Sequence, residues 1–240
     1  TPFSLAGGIL PALFWLWFWL REDKRRPEPR GYITYAFVGG MLATGVALFL
    51  ERGAKIWVGN LPGFFGGATF LFFLWATIEE VIKFLAAYFT SLRYKKKFDE
   101  PIDAVIYLIT TALGFSATEN VLYLIQIISD GDTTQSIITG DFRFIGASLL
   151  HTFCSALIGF VLAFVYYKGR RFRREMVFVA LLVAIGLHFL FNITILLSDG
   201  QSLLLALSWV WLGIIGLILL FEKAKKIRPK SFPKIEKIKS

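Results

Sequence analysis

The chain has 240 residues, 56% hydrophobic and only 18% charged, with a mean hydropathy of +0.63. That composition leaves too little polar surface for a water-soluble domain, and 25 Phe with 7 Trp suit lipid-facing and interfacial positions. A single cysteine excludes an intramolecular disulfide and any multi-cysteine metal site.

A bilayer-spanning helix takes about 20 mainly apolar residues. Stretches of that kind lie at 2–20, 32–50, 64–90, 102–128, 142–167, 176–197 and 202–221. The first lacks a preceding basic segment and a small-residue cleavage site, so it predicts a helix that stays in the membrane. The third, fourth and fifth are long enough to tilt or to include an interfacial turn. Gly63, Gly66 and Gly67 predict that the third helix starts a few residues late. The expected fold is an all-α, polytopic transmembrane bundle of about seven helices, with one membrane domain over 1–221 and a basic tail over 222–240.

The net charge of +9 invites a nucleic-acid reading until its distribution is followed. Bases crowd into 21–31, 91–101, 168–175 and the tail, which are alternate connections of a seven-helix chain. The only other bases are Arg52, Lys55, Arg143 and Lys83. The intervening connections carry Asp130, Asp132, Asp141 and Asp199 instead. By the positive-inside rule the basic side is cytoplasmic, with the N-terminus outside and the C-terminus inside. The charge is thus a topology signal that favours contact with anionic lipid, and no nucleic-acid partner is expected.

Ionisable groups inside a span cost about 3 kcal/mol each and mark function. Here they are Glu79, Glu80 and Lys83 on the third stretch and Glu119 on the fourth, beside Asn120 and one turn before Tyr123. His151 lies on the fifth, and His188 with Asn192 on the sixth. Lys83 is three and four residues from the paired carboxylates and so can reach either. His188 and Asn192 form one stripe, as do Glu119 and Tyr123, and a polar stripe must face protein or water. Counted along the helices, Glu79, Glu80, Glu119 and His188 fall near mid-bilayer and His151 nearer the outer face.

Three Glu against one Lys leave excess negative charge that a low-dielectric site does not tolerate. Either carboxylates hold protons, giving a Glu/His pair for general acid–base activation of water. Or a divalent cation such as zinc sits among Glu80, His151 and His188 with an open water position. Both alternatives point to hydrolysis.

The motif set is Glu79-Glu80-x-x-Lys83, then Gly114-Phe115-x-x-x-Glu119-Asn120-x-x-Tyr123, then His151 with Gly159, then His188-x-x-x-Asn192. It resembles the PrsW family of intramembrane proteases, which is distantly similar to the CAAX prenyl endopeptidases. The resemblance covers roughly residues 75–195. It implies a glutamate-dependent, membrane-embedded endopeptidase of a prokaryotic cell membrane that cuts single-pass membrane proteins, the family's best-known substrate being an anti-sigma factor. Carried over by motif, Glu79 and Glu80 are the catalytic pair, His151 and His188 complete the site, and Asn192 supports the oxyanion or holds His188. The second motif has Glu119-Asn120 where the CAAX enzymes have a histidine, so Glu119 stands beside Glu80 as a candidate water-activating group.

Each motif also has a bland reading. The Glu79/Glu80/Lys83 set can be a structural ion pair, Glu119 with Asn120 an interhelical clamp, and His188 with Asn192 a packing pair. Cys154 near His151 reads as a small hydrophobe, Trp15, Trp17 and Trp19 as an interfacial belt, and Asp103 as a partner of the bases at 93–97. An ion- or proton-coupled transporter is the rival function, although no inverted repeat is visible. A CAAX-type peptidase is the rival within hydrolysis.

Overall fold

The computed structural model describes residues 2–22, 28–63, 67–130, 135–197 and 203–227. Among them the chain forms α1 (Pro2–Glu22), α2 (Arg30–Gly59), α3 (Ala68–Ala87), α4 (Asp103–Asp130), α5 (Gln135–Phe164), α6 (Arg170–Leu197) and α7 (Leu203–Ala224), with no strand. A helix is present at each of the seven expected stretches. The third begins late, as its glycines predict, with Gly67 extended at its N-cap and Gly63 left-handed at φ 60°. Its C-terminal end runs into a π-helical turn over Tyr88–Leu92, the interfacial turn anticipated from its length. The last helix ends at Ala224, three residues beyond the expected boundary of the membrane domain, and the tail past 227 lies outside the described residues.

Among the described residues, six helices are long and apolar enough to cross a membrane. The exception is α3, which carries Glu79, Glu80 and Lys83 within its 20 residues. α2 runs nine residues further than its apolar stretch, because Glu51, Arg52 and Lys55 continue the helix where the sequence reads as a loop. At 1.5 Å per residue its 30 residues span about 45 Å, so Glu51 lies on a membrane helix.

α4 is the axis of the bundle. Of its apolar window 78% is buried, and 72% of that of α5, against 22% for α1 and 28% for α6. It packs on α1, α2, α3 and α5; α3 also meets α2 and α6, and α5 meets α6 and α7. Small residues allow the closest crossings, as expected where helices associate by packing in lipid. A Cβ at Gly40 would lie 2.0 Å from the Thr111 carbonyl oxygen, and one at Gly114 2.0 Å from that of Phe37. The Thr44 hydroxyl donates to the Phe115 carbonyl at 3.0 Å across the same crossing.

The described parts of the four basic segments converge on one end. Tyr107 donates to Glu28 from the first connection, the Tyr166 hydroxyl donates to the Phe98 carbonyl at 3.3 Å, and Lys223 lies over the Phe164 ring. Asp103 is tied differently from the expectation. Its Oδ2 accepts the backbone N–H groups of Asp99 and Glu100 at 3.0 and 2.7 Å, while Lys97 donates to the Thr90 carbonyl. A buried carboxylate found backbone donors in its own loop. Burial also raises the carboxyl pKa of Glu28 beside it. The Trp belt divides: Trp17 is exposed under Arg21, whereas buried Trp19 packs on Phe221 and joins α1 to α7.

Candidate active site

Successive residues on a helix point about 100° apart, so adjacent Glu79 and Glu80 cannot play one role. Glu80 is fully buried and points to Lys83 and α6. Its Oε1 accepts from Lys83 Nζ at 2.5 Å and from His188 Nδ1 at 2.7 Å. Lys83, also buried, donates in addition to His151 Nδ1 at 2.8 Å. An ammonium has donors only, so His151 Nδ1 accepts and Nε2 carries the proton. That Nε2 donates to Glu119 Oε2 at 2.8 Å.

Glu79 takes the other direction. Its Oε2 is buried without a hydrogen-bond partner, 3.7 Å from His188 Nε2 and 3.9 Å from His151 Nε2. The imidazoles meet edge to face at 5.1 Å between centroids, and Phe115 packs on His151 and under Lys83. The aromatic wall lowers the local dielectric, so each charge interaction is stronger than in water.

The structure therefore gathers Glu79, Glu80, Lys83, Glu119, His151 and His188 from α3, α4, α5 and α6. His151 is level with the rest instead of nearer the outer face, because α5 starts at Gln135, earlier than its apolar stretch. Asn192, one turn beyond His188, is half-buried and has no hydrogen-bond partner among the described residues. Asn120 is buried on another face of α4, where its amide donates to Ser148 Oγ at 2.9 Å and Ser116 Oγ at 3.3 Å. It is an α4–α5 clamp. Tyr123 is half-buried one turn past Glu119. The Cys154 thiol donates to the Ala184 carbonyl at 3.5 Å.

One carboxylate was not anticipated. Glu51 on α2 lies close to Glu79 and to the charge of Glu119. Four Glu thus surround one Lys, which sharpens the need for a proton or a cation.

The residues fit a divalent metal. Glu79, His151 and His188 each offer a ligand atom within 4.8 Å of the others. Tetrahedral ligands at about 2.0–2.1 Å from zinc stand about 3.4 Å apart, a few tenths of an ångström closer than the two Glu79–imidazole distances. His188 is arranged as metal-bound histidines are, with one ring nitrogen donating to a carboxylate and the other presented inward. His151 Nε2 must lose its proton to act as a ligand, and the partly exposed Glu119 carboxylate can pass that proton on to solvent. The carboxylate at ligand distance is Glu79, whereas the expected set named Glu80.

Comparison with known proteins agrees with this geometry. The family model described as PrsW family intramembrane metalloprotease matches residues 28–220. The chain belongs to that family, and it is a polytopic intramembrane endopeptidase. It is similar to Protease PrsW of Geobacillus kaustophilus, 24% identical over 239 residues and 98% of each chain. It is 28% identical over 218 residues to Protease PrsW of Oceanobacillus iheyensis, covering 89% of this chain and 92% of the relative. Protease PrsW of Bacillus subtilis is 27% identical over 234 residues, 93% and 95% of the two chains. No solved structure matches.

Proposed function

We propose that this protein hydrolyses a peptide bond in or near the membrane segment of a single-pass membrane protein, an anti-sigma factor being the class its family suggests. Glu79, His151 and His188 would hold a divalent metal, and the orphaned Glu79 Oε2 facing both imidazoles carries that reading. Such a metal, when bound, polarises a carbonyl and lowers the pKa of its water to about 7.

The protein's own groups do the rest. Glu80 takes the His188 Nδ1 proton in a hydrogen bond and so keeps Nε2 directed inward. Lys83 braces Glu80 and His151 together and cancels one carboxylate charge. Glu119, whose side chain is 38% exposed where its partners are nearly closed off, accepts a proton at Oε2 from the attacking water and returns it to the leaving amide nitrogen. Asn192 turns its amide toward the oxygen that becomes charged. Phe115 keeps bulk water off the inner wall.

The test is cleavage of a panel of single-pass membrane proteins by the full chain in liposomes. Wild type is expected to cut, to lose activity with a divalent-metal chelator and to regain it with zinc. Glu79→Gln is expected to abolish cleavage while inserting and melting like wild type. Normal cleavage by a folded Glu79→Gln protein would sink the proposal.

A further inference from the structure

A second cavity lies away from this site, at the basic end, between the C-terminal halves of α3 and α5 and the start of α6. It is a lateral groove of about 1770 Å³, well above the roughly 300–1,000 Å³ of a small-molecule pocket. Its inner walls are Phe84, Leu85, Leu162, Val177, Phe178 and Leu181. Its mouth carries Arg93, Lys95, Arg170, Arg171, Arg173 and Arg174 against only Asp99 and Glu175. Arg171 is paired with Glu175 at 3.0 Å, but Arg170, Arg174 and Lys95 have no carboxylate partner among the described residues. Tyr88 and Tyr166 stand where apolar wall gives way to basic mouth, the level at which tyrosines mark a membrane interface.

We infer that this groove is a binding site for one anionic glycerophospholipid of the leaflet at the basic end. Its acyl chains lie between α3 and α6, and its phosphodiester meets Lys95, Arg170 and Arg174. The division of the groove matches the division of the lipid: apolar walls at hydrocarbon depth, unpaired bases at headgroup depth. A substrate helix fits less well. The flank of a single-pass protein on this side is itself enriched in Lys and Arg, which the mouth repels.

The position also gives the lipid a consequence. Phe84 follows Lys83 directly, and Leu181 lies seven residues, about 10 Å, below His188 on α6. Acyl chains here close the α3–α6 seam beneath Glu80 and Lys83 and keep water from reaching them from the basic end.

The test is native mass spectrometry of the full chain titrated with phosphatidylglycerol or phosphatidylcholine of the same acyl chains, with glycerol phosphate as a headgroup-only probe. One phosphatidylglycerol is expected to bind well below the concentration at which phosphatidylcholine does, and glycerol phosphate not at all. Each base near a membrane surface contributes about 1 kcal/mol, so Lys95→Gln, Arg170→Gln and Arg174→Gln are each expected to weaken phosphatidylglycerol about fivefold. Leu181→Trp, which fills the apolar wall at constant charge, is expected to weaken both lipids. Thermal melts of each variant show whether it is folded, and only folded variants count. Equal binding of the two lipids, or a phosphatidylglycerol preference that survives the triple variant, overturns the inference. So does glycerol phosphate binding as well as the lipid, which makes the mouth a free-phosphate site. Loss of substrate cleavage by the triple variant in phosphatidylcholine vesicles, with lipid binding unchanged, makes it a protein-docking surface and overturns the inference too.

Discussion

Glu79, Glu80, Glu119 and Asn120 differ more in surroundings than in chemistry. Glu79 faces two imidazoles with a free oxygen; Glu80 holds Lys83 and His188 through Oε1 and keeps its Oε2 unpartnered; Glu119 is partly open; Asn120 is closed among serine hydroxyls. Their variants should therefore part company. Glu80→Gln is expected to weaken metal binding 10–100-fold, the usual cost of losing an outer partner, with activity restored by added zinc; bound metal measured by mass spectrometry checks it. Glu119→Gln is expected to keep its metal and its melting temperature but lose about 10²–10⁴ in turnover. Asn120→Ala should do the reverse, costing about 1–3 kcal/mol of stability through unpaired buried hydroxyls while each folded molecule cuts normally. If Asn120→Ala leaves the melt unchanged and stops cleavage, the clamp assignment is wrong. Which ionisable groups meet in the bundle was largely readable in the sequence, because a charge on an apolar helix has few places to go. The division of labour was not readable, since it depends on which way two adjacent side chains leave α3. Glu51 stayed hidden for a simpler reason: three charged residues within five positions look like the end of a span.

At the scale of helices, the site depends on how closely α2 and α4 approach. Gly40 and Gly114 let the backbones touch, and that contact sets the distance from Glu51 on α2 to Glu119 on α4. Gly114→Ala puts a methyl group 2.0 Å from the Phe37 carbonyl oxygen, backbone that cannot swing aside, and should cost about 1–3 kcal/mol as overpacking does. Gly45→Ala, whose Cβ meets nothing within 4 Å, should change stability by less than about 0.5 kcal/mol. Thermal unfolding of both in the same detergent decides the matter, and equal melts would mean that the crossing is loose. Apolar length located these helices well enough. Their ends were less legible, because capping turns and the π-helical turn at 88–92 depend on neighbours, and their packing partners depend on which glycine meets which carbonyl.

At the scale of the whole molecule, the site is offset from the basic end. From that end Glu119 lies about 24 Å along α4, His188 about 27 Å along α6 and Glu51 about 31 Å along α2, at 1.5 Å per residue. The more exposed groups, Glu119 and Glu51, thus lie toward the base-poor end, while buried Lys83 and the groove lie on the other side of Glu79, His151 and His188. Water and substrate are then expected to approach from the base-poor side, which the positive-inside rule predicts to be the external one. The single native cysteine is buried, so an introduced thiol reports position without background. Asn60→Cys, exposed at the base-poor end of α2, should react with a membrane-impermeant maleimide on intact cells. Lys96→Cys, exposed at the basic end, should react only after permeabilisation. The reverse pattern would turn the molecule over, placing both the site's opening on the cytoplasmic side and the basic groove in the outer leaflet.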